Sequence, residues 1–124
     1  MYAAPRTGRE AMPHWKAARE RTLLLPYDPT GAPVWPPGAA PLTWRTVGGI
    51  GKIASYSIVR RPVAPEWKDK APYCVAMVNL ESGHRLLTNI IDCDVEQVRI
   101  GAVVLCEFVE TNDPQLGLVV FRLA

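Results

Sequence analysis

Five short segments rich in apolar and β-branched residues follow one another from Lys52 to Leu123. Each segment is long enough for one β-strand, and turn residues divide each segment from the next. Between the second and third segments, Ser82 and Gly83 predict a tight hairpin turn. The sequence therefore predicts an all-β domain built from the segments KIASYSIVR, YCVAMVNL, RLLTNIID, VVLCEFVE and LGLVVFRL.

A further stretch, DCDVEQVRIG, lies between the third and fourth segments and carries helix signals. Asp94 can cap a single helical turn with Gln97 three residues later, and Gly101 can end it. A short helix between strands three and four of a five-stranded sheet is typical of the OB-fold barrel. We therefore expect residues 48–124 to form a five-stranded OB-fold barrel.

The residues before the barrel follow a different pattern. Residues 10–22 place Met12, Trp15 and Ala18 at helical spacing, and Pro13 suits a first helical turn. This predicts a short helix with a narrow apolar stripe, which either the chain's own barrel or a partner subunit must cover.

Prolines dominate the connection between this helix and the barrel. Residues 26–49 contain six prolines and four glycines, so no long helix or central strand can run through them. We expect residues 10–47 to hold the helix and a proline-rich connector with turns, after a flexible tail at residues 1–9.

The net charge of +2 is unevenly distributed. The first 21 residues hold five basic and two acidic side chains, which leaves a net charge of −1 on the rest. Because phosphate binding needs clustered Lys and Arg, this distribution weakens a nucleic-acid function. No window approaches the roughly 18 apolar residues of a membrane span, and the N-terminus lacks the apolar middle of a secretory signal. We therefore expect a cytoplasmic protein with no membrane partner.

Cys74, Cys93 and Cys106 are far apart in the sequence and form no CxxC pair. This spacing indicates neither a disulfide framework nor a zinc site, so we interpret all three as buried or unreactive thiols. A catalytic cysteine would need a neighbouring histidine or helix N-terminus, and the sequence places neither His14 nor His84 beside a thiol.

Two long stretches resemble a known family. GGIGKIASYSIVRRP is similar to the first barrel strand of that family, and APYCVAMVNLESGHRLLTNIIDCDVEQVRIGAVV is similar to its central consensus. The family comprises the OB-fold proteins associated with acyl-CoA metabolism, long described as a domain of unknown function. Its members pair an N-terminal helix and zinc ribbon with a C-terminal OB-fold, and the resemblance covers about residues 10–123.

The zinc ribbon of that family has a roughly CxxCGxxxxPPxxxCPxC pattern, and here YDPTG and WPPG occupy the corresponding steps. The ligand positions fall at about Tyr27, Thr30, Pro41 and Trp44, none of which supplies the thiolate or imidazole that structural zinc requires. The resemblance thus implies a degenerate, metal-free ribbon, held by proline stiffness and by the packing of Tyr27, Trp35 and Trp44. A linker of similar composition is the alternative.

Members of this family are mostly non-catalytic partners of thiolase-like enzymes, which include acyl-CoA thiolases, sterol-carrier-type thiolases and aldolases, and synthases. The resemblance implies that this chain is an accessory subunit of such an enzyme rather than an enzyme itself. It further implies a heterotetramer with two copies of each chain, no cofactor of its own, and a CoA thioester as a shared ligand of the complex.

Two alternatives come from other functional classes. The first is an OB-fold protein that binds single-stranded nucleic acid, which would need aromatic residues alternating with Lys and Arg on strands two and three. The second is a small thioesterase or hydratase, which would need an acid–base pair that the sequence does not supply on one element.

The loop RRPVAPEWKDKAPY joins the first two barrel strands and combines four cations with one tryptophan. Such a loop suits contact with the phosphates and adenine of CoA, or with an acidic rim on a partner. The candidate residues are Arg60, Arg61, Trp67, Lys68 and Lys70, and a solvated hairpin tip anchored by the tryptophan is the alternative.

Met12, Trp15, Tyr27 and Trp35 are the candidate residues of a partner interface, because aromatic anchors dominate protein–protein contacts. They could equally seal the helix against the barrel.

Two polar residues near the predicted strands are expected to be structural. Asn89 lies within an apolar strand, so we expect it to be buried and satisfied by backbone groups. His84 follows a hairpin turn, so we expect it at the surface rather than in the role of a base.

Overall fold

A computed structural model of the chain describes residues 2–6 and 8–124. Helix α1 spans Met12–Arg19, and the strands are β1 Leu24–Tyr27, β2 Thr43–Thr46, β3 Ile50–Val59, β4 Tyr73–Leu80, β5 Arg85–Ile91, β6 Val103–Glu110 and β7 Gly117–Leu123. Short 3-10 helices are found at Arg9–Ala11, Pro65–Lys70 and Val95–Gln97. Among the described residues, no helix has the length and apolar character needed to cross a membrane.

The last five strands close into a barrel in the order β3-β4-β5-β7-β6. Neighbouring strands are antiparallel, except that β5 and β7 pair in parallel, with Ile90 opposite Phe121. The 3-10 helix Val95–Gln97 lies between the third and fourth barrel strands, as the sequence predicted. The all-β class and the five-stranded OB-fold are therefore confirmed.

Alternating side chains along the strands build the core of the barrel. In β4, Cys74, Ala76, Val78 and Leu80 are buried, whereas the residues between them face outward. Phe121 of β7 is the largest fully buried side chain among the described residues. This period of two is the pattern expected of strands with one face in the core.

Two turn predictions agree with the backbone. Gly83 has a φ of +96°, a left-handed conformation that glycine adopts without strain, and it closes the hairpin between β4 and β5. At the 3-10 helix, the Asp94 carboxylate accepts from the Glu96 amide at 3.1 Å, and the Asp94 amide donates to the Gln97 side chain at 3.1 Å. This capping box fixes the single helical turn before β6.

Helix α1 packs closely against β7. A Cβ atom placed on Gly117 would lie 2.7 Å from the carbonyl carbon of Ala18 and from the amide nitrogen of Arg19. Glycine at this position therefore lets the helix backbone approach the strand more closely than any other residue would allow.

The buried face of α1 differs from the predicted stripe. Pro13 lies in the first turn as expected, but the helix buries His14 and Ala18, while Met12 and Trp15 stay half-buried. The chain's own barrel covers the inner face of the helix. The histidine can be buried because its ring has a hydrogen-bond partner.

The proline-rich segment contains two short strands rather than turns alone. Strands β1 and β2 form a separate antiparallel sheet, in which Leu24 lies opposite Thr46 and Tyr27 lies opposite Thr43. We refer to residues 24–46 as the ribbon.

The N-terminal tail, predicted to be flexible, contacts the loop after β6 through Tyr2 and Ala4. Tyr2 forms a parallel bridge with Thr111, and its carbonyl accepts from the Asn112 amide at 3.0 Å. The Ala4 amide donates to the Asn112 side chain at 3.0 Å. These contacts are mostly between backbone groups, so no residue pattern in the tail predicts them.

Candidate interaction surface

Two histidines and one backbone amide satisfy the edge of β1 that β2 does not cover, since the Val34 amide donates to the Pro26 carbonyl at 3.1 Å. Backbone alternation turns the carbonyls of Leu24 and Pro26 away from β2. His14 Nδ1 lies 2.8 Å from the Leu24 carbonyl oxygen, and His84 Nε2 lies 2.8 Å from that of Pro26. A carbonyl oxygen can only accept, so each of these ring nitrogens carries the proton and donates it. The two imidazoles thus fasten the ribbon to α1 and to the barrel.

The expectation that His84 lies at the surface is wrong, because its side chain is only 2% exposed. The turn between β4 and β5 lies against the ribbon, where the Tyr27 ring packs edge-on to the imidazole at 4.9 Å. Ser82 Oγ lies 2.7 Å from His84 Nδ1. Since both ring nitrogens have partners, the polar ring can be buried.

His14 is buried among aromatic rings. Its imidazole is 1% exposed and lies 4.4 Å from the Trp15 ring and 4.5 Å from the Trp35 ring. Burial lowers the pKa of His14 to about 4, although the hydrogen bond to Leu24 opposes this shift. The ring is therefore neutral near pH 7, and it links α1 to the ribbon.

The structure brings together two of the four predicted partner-interface residues. The Trp15 and Trp35 rings form a T-shaped pair with centroids 6.4 Å apart. Tyr27 lies apart from this pair, against the buried histidine of the hairpin and with the Arg45 guanidinium 4.9 Å from its ring centre. Met12 is half-buried in the first turn of α1.

Leu87, which the sequence analysis did not single out, is 67% exposed on β5. On one side of it, Trp15 and Trp35 line a hollow of about 70 Å³, and on the other, Trp67 and Tyr73 line a hollow of about 290 Å³. No sequence signal marked it, because the adjacent Leu86 is equally apolar and only the register of β4 and β5 shows which of the two faces outward. We define the Leu87 face as the set Trp15, Trp35, Trp67, Tyr73, Val75 and Leu87.

Trp67 anchors the loop between β3 and β4. Its ring packs against Tyr73 at 4.8 Å and meets Tyr2 of the tail at 6.0 Å. The Lys70 ammonium lies 5.0 Å from the Tyr2 ring centre and 5.9 Å from that of Trp67. A hollow of about 180 Å³ opens beside these rings and extends to Asp92.

The cations of this loop differ in their surroundings. Arg60 pairs with Glu96 at 3.1 Å, and both side chains are largely exposed. Arg61 and Lys68 are exposed and form no ion pair within the described part of the chain. These two are therefore the loop cations best placed to meet a ligand or a partner.

The predicted positions of lost zinc ligands lie in the ribbon. Tyr27 ends β1, Thr30 and Pro41 are exposed in the connection, and Trp44 lies opposite Pro26 in the sheet. Within residues 2–6 and 8–124, no three His, Cys, Asp or Glu side chains are grouped to hold a metal ion. The residues present in the ribbon do not fit a zinc ion.

Asp28 organises the turn after β1. Its carboxylate accepts from the Thr30 amide at 2.8 Å, the Thr30 hydroxyl at 2.6 Å and the Ala32 amide at 3.0 Å. These hydrogen bonds, chiefly that from the Thr30 side chain, lower the pKa of the Asp28 carboxyl. This role was predictable from the sequence, because an Asp before a Pro-Thr-Gly sequence is a known turn signal.

The remaining candidate groups are structural. Asn89 donates to the Cys74 carbonyl at 3.0 Å, which agrees with its expected backbone partner, although the residue is only half-buried. Burial raises the pKa of all three thiols, that of Cys106 to about 12. Protonated thiols, and histidines bonded to carbonyls, are poor materials for nucleophilic catalysis.

Comparison with protein families decides the relationship. A family profile described as "ChsH2, C-terminal OB-fold domain" matches residues 44–109, which is more than half of the chain. The chain belongs to the ChsH2 OB-fold family. The resemblance inferred from the quoted stretches is thereby confirmed.

Curated relatives of this ChsH2-type chain carry two kinds of name. It is 49% identical over 53 residues to a "DUF35 domain-containing scaffold protein" of Methanothermobacter thermautotrophicus, covering 43% of this chain and 39% of the relative. A protein of the same name from Methanocaldococcus jannaschii is 41% identical over 63 residues, or 50% of this chain and 43% of the relative. A "Probable enoyl-CoA hydratase alpha subunit" of Thermomonospora curvata is 32% identical over 128 residues, or 97% and 39%. The ChsH2-type chain thus spans about two fifths of each relative.

A solved structure matches nearly the whole ChsH2-type chain. It is named "Ltp2-ChsH2(DUF35) aldolase", and the matched chain superimposes with a TM-score of 0.80 at 31% identity. The match covers 96% of this chain and 98% of the other, so it includes the helix and the ribbon as well as the barrel.

Proposed function

We propose that this chain is a non-catalytic accessory subunit that binds a thiolase-like enzyme and supports its acyl-CoA chemistry. The observation that carries the proposal is the match, over 96% of this chain, to a chain of the structure named as an Ltp2–ChsH2 aldolase. The two archaeal relatives named as scaffold proteins support the same role.

The chemistry of the buried groups supports a scaffold rather than a catalyst. Both histidines are at most 2% exposed and donate to backbone carbonyls, so neither imidazole can reach a substrate as a base. The thiols are held protonated by burial. We therefore propose that the reacting groups belong to the partner.

A finer step of the proposal concerns CoA. Arg61 and Lys68 are exposed on the loop that Trp67 anchors, with Arg60 and Lys70 beside them. Guanidinium and ammonium groups suit the phosphates of CoA, and an aromatic ring suits its adenine. We propose that this loop contacts a CoA thioester held by the partner, in an assembly with two copies of each chain.

Reconstitution tests the main proposal. The tagged chain is co-expressed with each thiolase-like chain encoded in the same genome, and the Ltp2–ChsH2 pair serves as the positive control. A complex with one of these chains is expected, with a mass by light scattering that corresponds to two copies of each. If the control pair assembles and no candidate does, the proposal is wrong.

Steady-state kinetics of that complex test the CoA step. The double variant Arg61→Ala, Lys68→Ala is expected to raise KM for the acyl-CoA several-fold with little change in kcat, because it removes contacts to a part of the substrate that does not react. Arg9→Ala with Arg21→Ala removes two exposed cations elsewhere and is the matched control. An equal KM in both double variants would show that the loop does not contact CoA.

A further inference from the structure

The strand register places an apolar patch at the centre of one barrel face. Across β4 and β5, Met77 lies opposite Leu87 and Val75 lies opposite Asn89. These outward residues alternate with buried ones, so Val75, Met77 and Leu87 project from the same face. This is the face of the second and third barrel strands, which OB-folds commonly use to bind ligands.

Charge is distributed unevenly on this face. Strands β3, β4 and β5 contain no Asp or Glu, and their charged residues are Lys52 and Arg85. Both cations are exposed, and both lie opposite Asn79, which pairs with each of them on adjacent strands. The strands are therefore apolar at the centre of the face and carry two cations at one end, where Glu81 of the β4–β5 turn is also exposed.

The Leu87 face also includes residues of both candidate sites that were predicted separately from the sequence, the partner interface and the cationic loop. Trp15 and Trp35 lie at one margin of Leu87, and Trp67 of the cationic loop lies at the other. Aromatic anchors beside an exposed aliphatic side chain, with hollows on both sides, are features of a protein-binding surface.

We infer that the Leu87 face is the docking surface for the partner enzyme, and that the partner presents an apolar recess bordered by carboxylates. This inference rests on the proposed function. Leu87 enters the recess, the two hollows receive partner side chains, and the carboxylates meet Lys52 and Arg85.

Two other occupants fit this surface less well. A second copy of this chain would form a two-fold contact through the same face, whose strands hold no carboxylate and whose adjoining turn supplies only Glu81 for the two cations. A nucleic-acid strand would need cations along its whole path, whereas the centre of this face, between the loop cations and Lys52 with Arg85, is apolar.

One pair of matched variants tests whether the docking surface lies at the Leu87 face. Leu87→Glu places a carboxylate at the centre of the face, whereas Ile100→Glu makes the same kind of change at a site before β6 that is 69% exposed, close to the 67% of Leu87. The Kd is measured by calorimetry with the thiolase-like chain recovered in the reconstitution. Leu87→Glu is expected to raise Kd at least tenfold and Ile100→Glu less than twofold, with unchanged circular dichroism and thermal midpoint for both.

A charge reversal tests the chemistry of the partner. Lys52→Glu with Arg85→Glu is expected to slow association several-fold at low salt and to remove its decrease with added salt, since complementary charge acts mainly on the association rate. Arg9→Glu with Arg21→Glu is the control with the same change in net charge. If both double variants slow association equally, the inference that carboxylates border the partner's recess is wrong.

The outcomes separate the inference from the proposed function. If the wild type binds no thiolase-like chain while the Ltp2–ChsH2 pair assembles, the proposed function fails and the inference with it. If Leu87→Glu binds as tightly as Ile100→Glu, only the inference fails. Sedimentation of the isolated protein is expected to show a monomer, and a dimer dissociated by Leu87→Glu would overturn the choice of occupant. Oligonucleotide binding abolished by Leu87→Glu would do the same.

Discussion

The barrel and the ribbon are stabilised in different ways. The barrel closes five strands around a continuous apolar core that includes Ile53, Val78 and Phe121. The ribbon has two strands of four residues: β1 buries Leu25 and Pro26, and the carbonyls on its outer edge accept from His14, His84 and the Val34 amide. The barrel therefore depends mainly on buried area, whereas the ribbon adds a few directional contacts to its share of the same core.

This difference has a consequence for how each region fails. Removing one side chain from the core weakens every strand that packs there, because the barrel is closed. Removing or charging one histidine acts first on the ribbon and its contact with α1. The chain's four tryptophans all lie outside the barrel strands, so their fluorescence reports on the helix, ribbon and loop, while far-UV circular dichroism reports mainly on the strands.

The largest effect is expected from Phe121→Ala. The side chain is fully buried in β7, and truncation of a core phenylalanine costs about 3–5 kcal/mol through lost burial and the remaining cavity. Urea denaturation followed by circular dichroism and by fluorescence should shift equally with both signals. Val63→Ala, at a position 96% exposed, is the control and should change stability by less than about 0.5 kcal/mol. A change in the denaturation midpoint seen by fluorescence alone would contradict a core that the barrel and the ribbon share.

Acid should act on the ribbon by way of His14. Its folded pKa is about 4 and its unfolded pKa is about 6.5, so the unfolded chain binds more protons between these values and stability falls as pH decreases through this window. The contribution is complete above pH 6.5, and about 3 kcal/mol of it is lost by pH 4. We expect the tryptophan signal to change before the circular dichroism as pH falls from 7 to 4.

His14→Gln provides the test of that assignment. This variant cannot titrate, so its stability should start lower at pH 7 and then vary less between pH 6.5 and pH 4 than that of the wild type. An unchanged slope in the variant would assign the acid sensitivity to other groups.

The regions also differ in how far the sequence predicts them. The five strands, the hairpin at Gly83 and the capping box at Asp94 follow from residue patterns, because alternation and turn chemistry are local in sequence. The burial of His84 does not, since it depends on the Pro26 carbonyl, 58 residues away. A histidine after a turn gives no sign of such a distant acceptor.

The candidate surface was predictable only in parts. Trp15, Trp35 and Trp67 were identified as aromatic anchors, but they lie on separate elements whose meeting is set by tertiary packing. Leu87 looked like one more apolar residue of a strand, and only the register of β4 and β5 shows that it faces outward beside them. Its role and those of the loop cations stay predictions until the binding experiments are made.

Gly117→Ala should separate the helix from the barrel with an intermediate effect. The added methyl group would lie 2.7 Å from backbone atoms of Ala18 and Arg19, so α1 must shift, and overpacking of this kind costs about 1–3 kcal/mol. Gly38→Ala, where no atom beyond the neighbouring residues of the chain lies within 4 Å of the added group, is the control. The free energy of unfolding in urea measures both. Equal stability of the two variants would mean that the helix tolerates the displacement.

The smallest effect is expected from Asp28→Ala, and it should be confined to the tip of the ribbon. The carboxylate accepts three hydrogen bonds from Thr30 and Ala32 in a half-buried turn outside the barrel, so its loss should free these amides without unfolding the barrel. Hydrogen exchange by NMR should quicken at Thr30 and Ala32 and stay constant at core amides such as that of Val78. Asp28→Asn retains an oxygen acceptor and should restore part of the protection. If exchange at these two amides is the same in the wild type and in Asp28→Ala, the backbone alone holds the turn, and the ribbon depends still more on its two histidines.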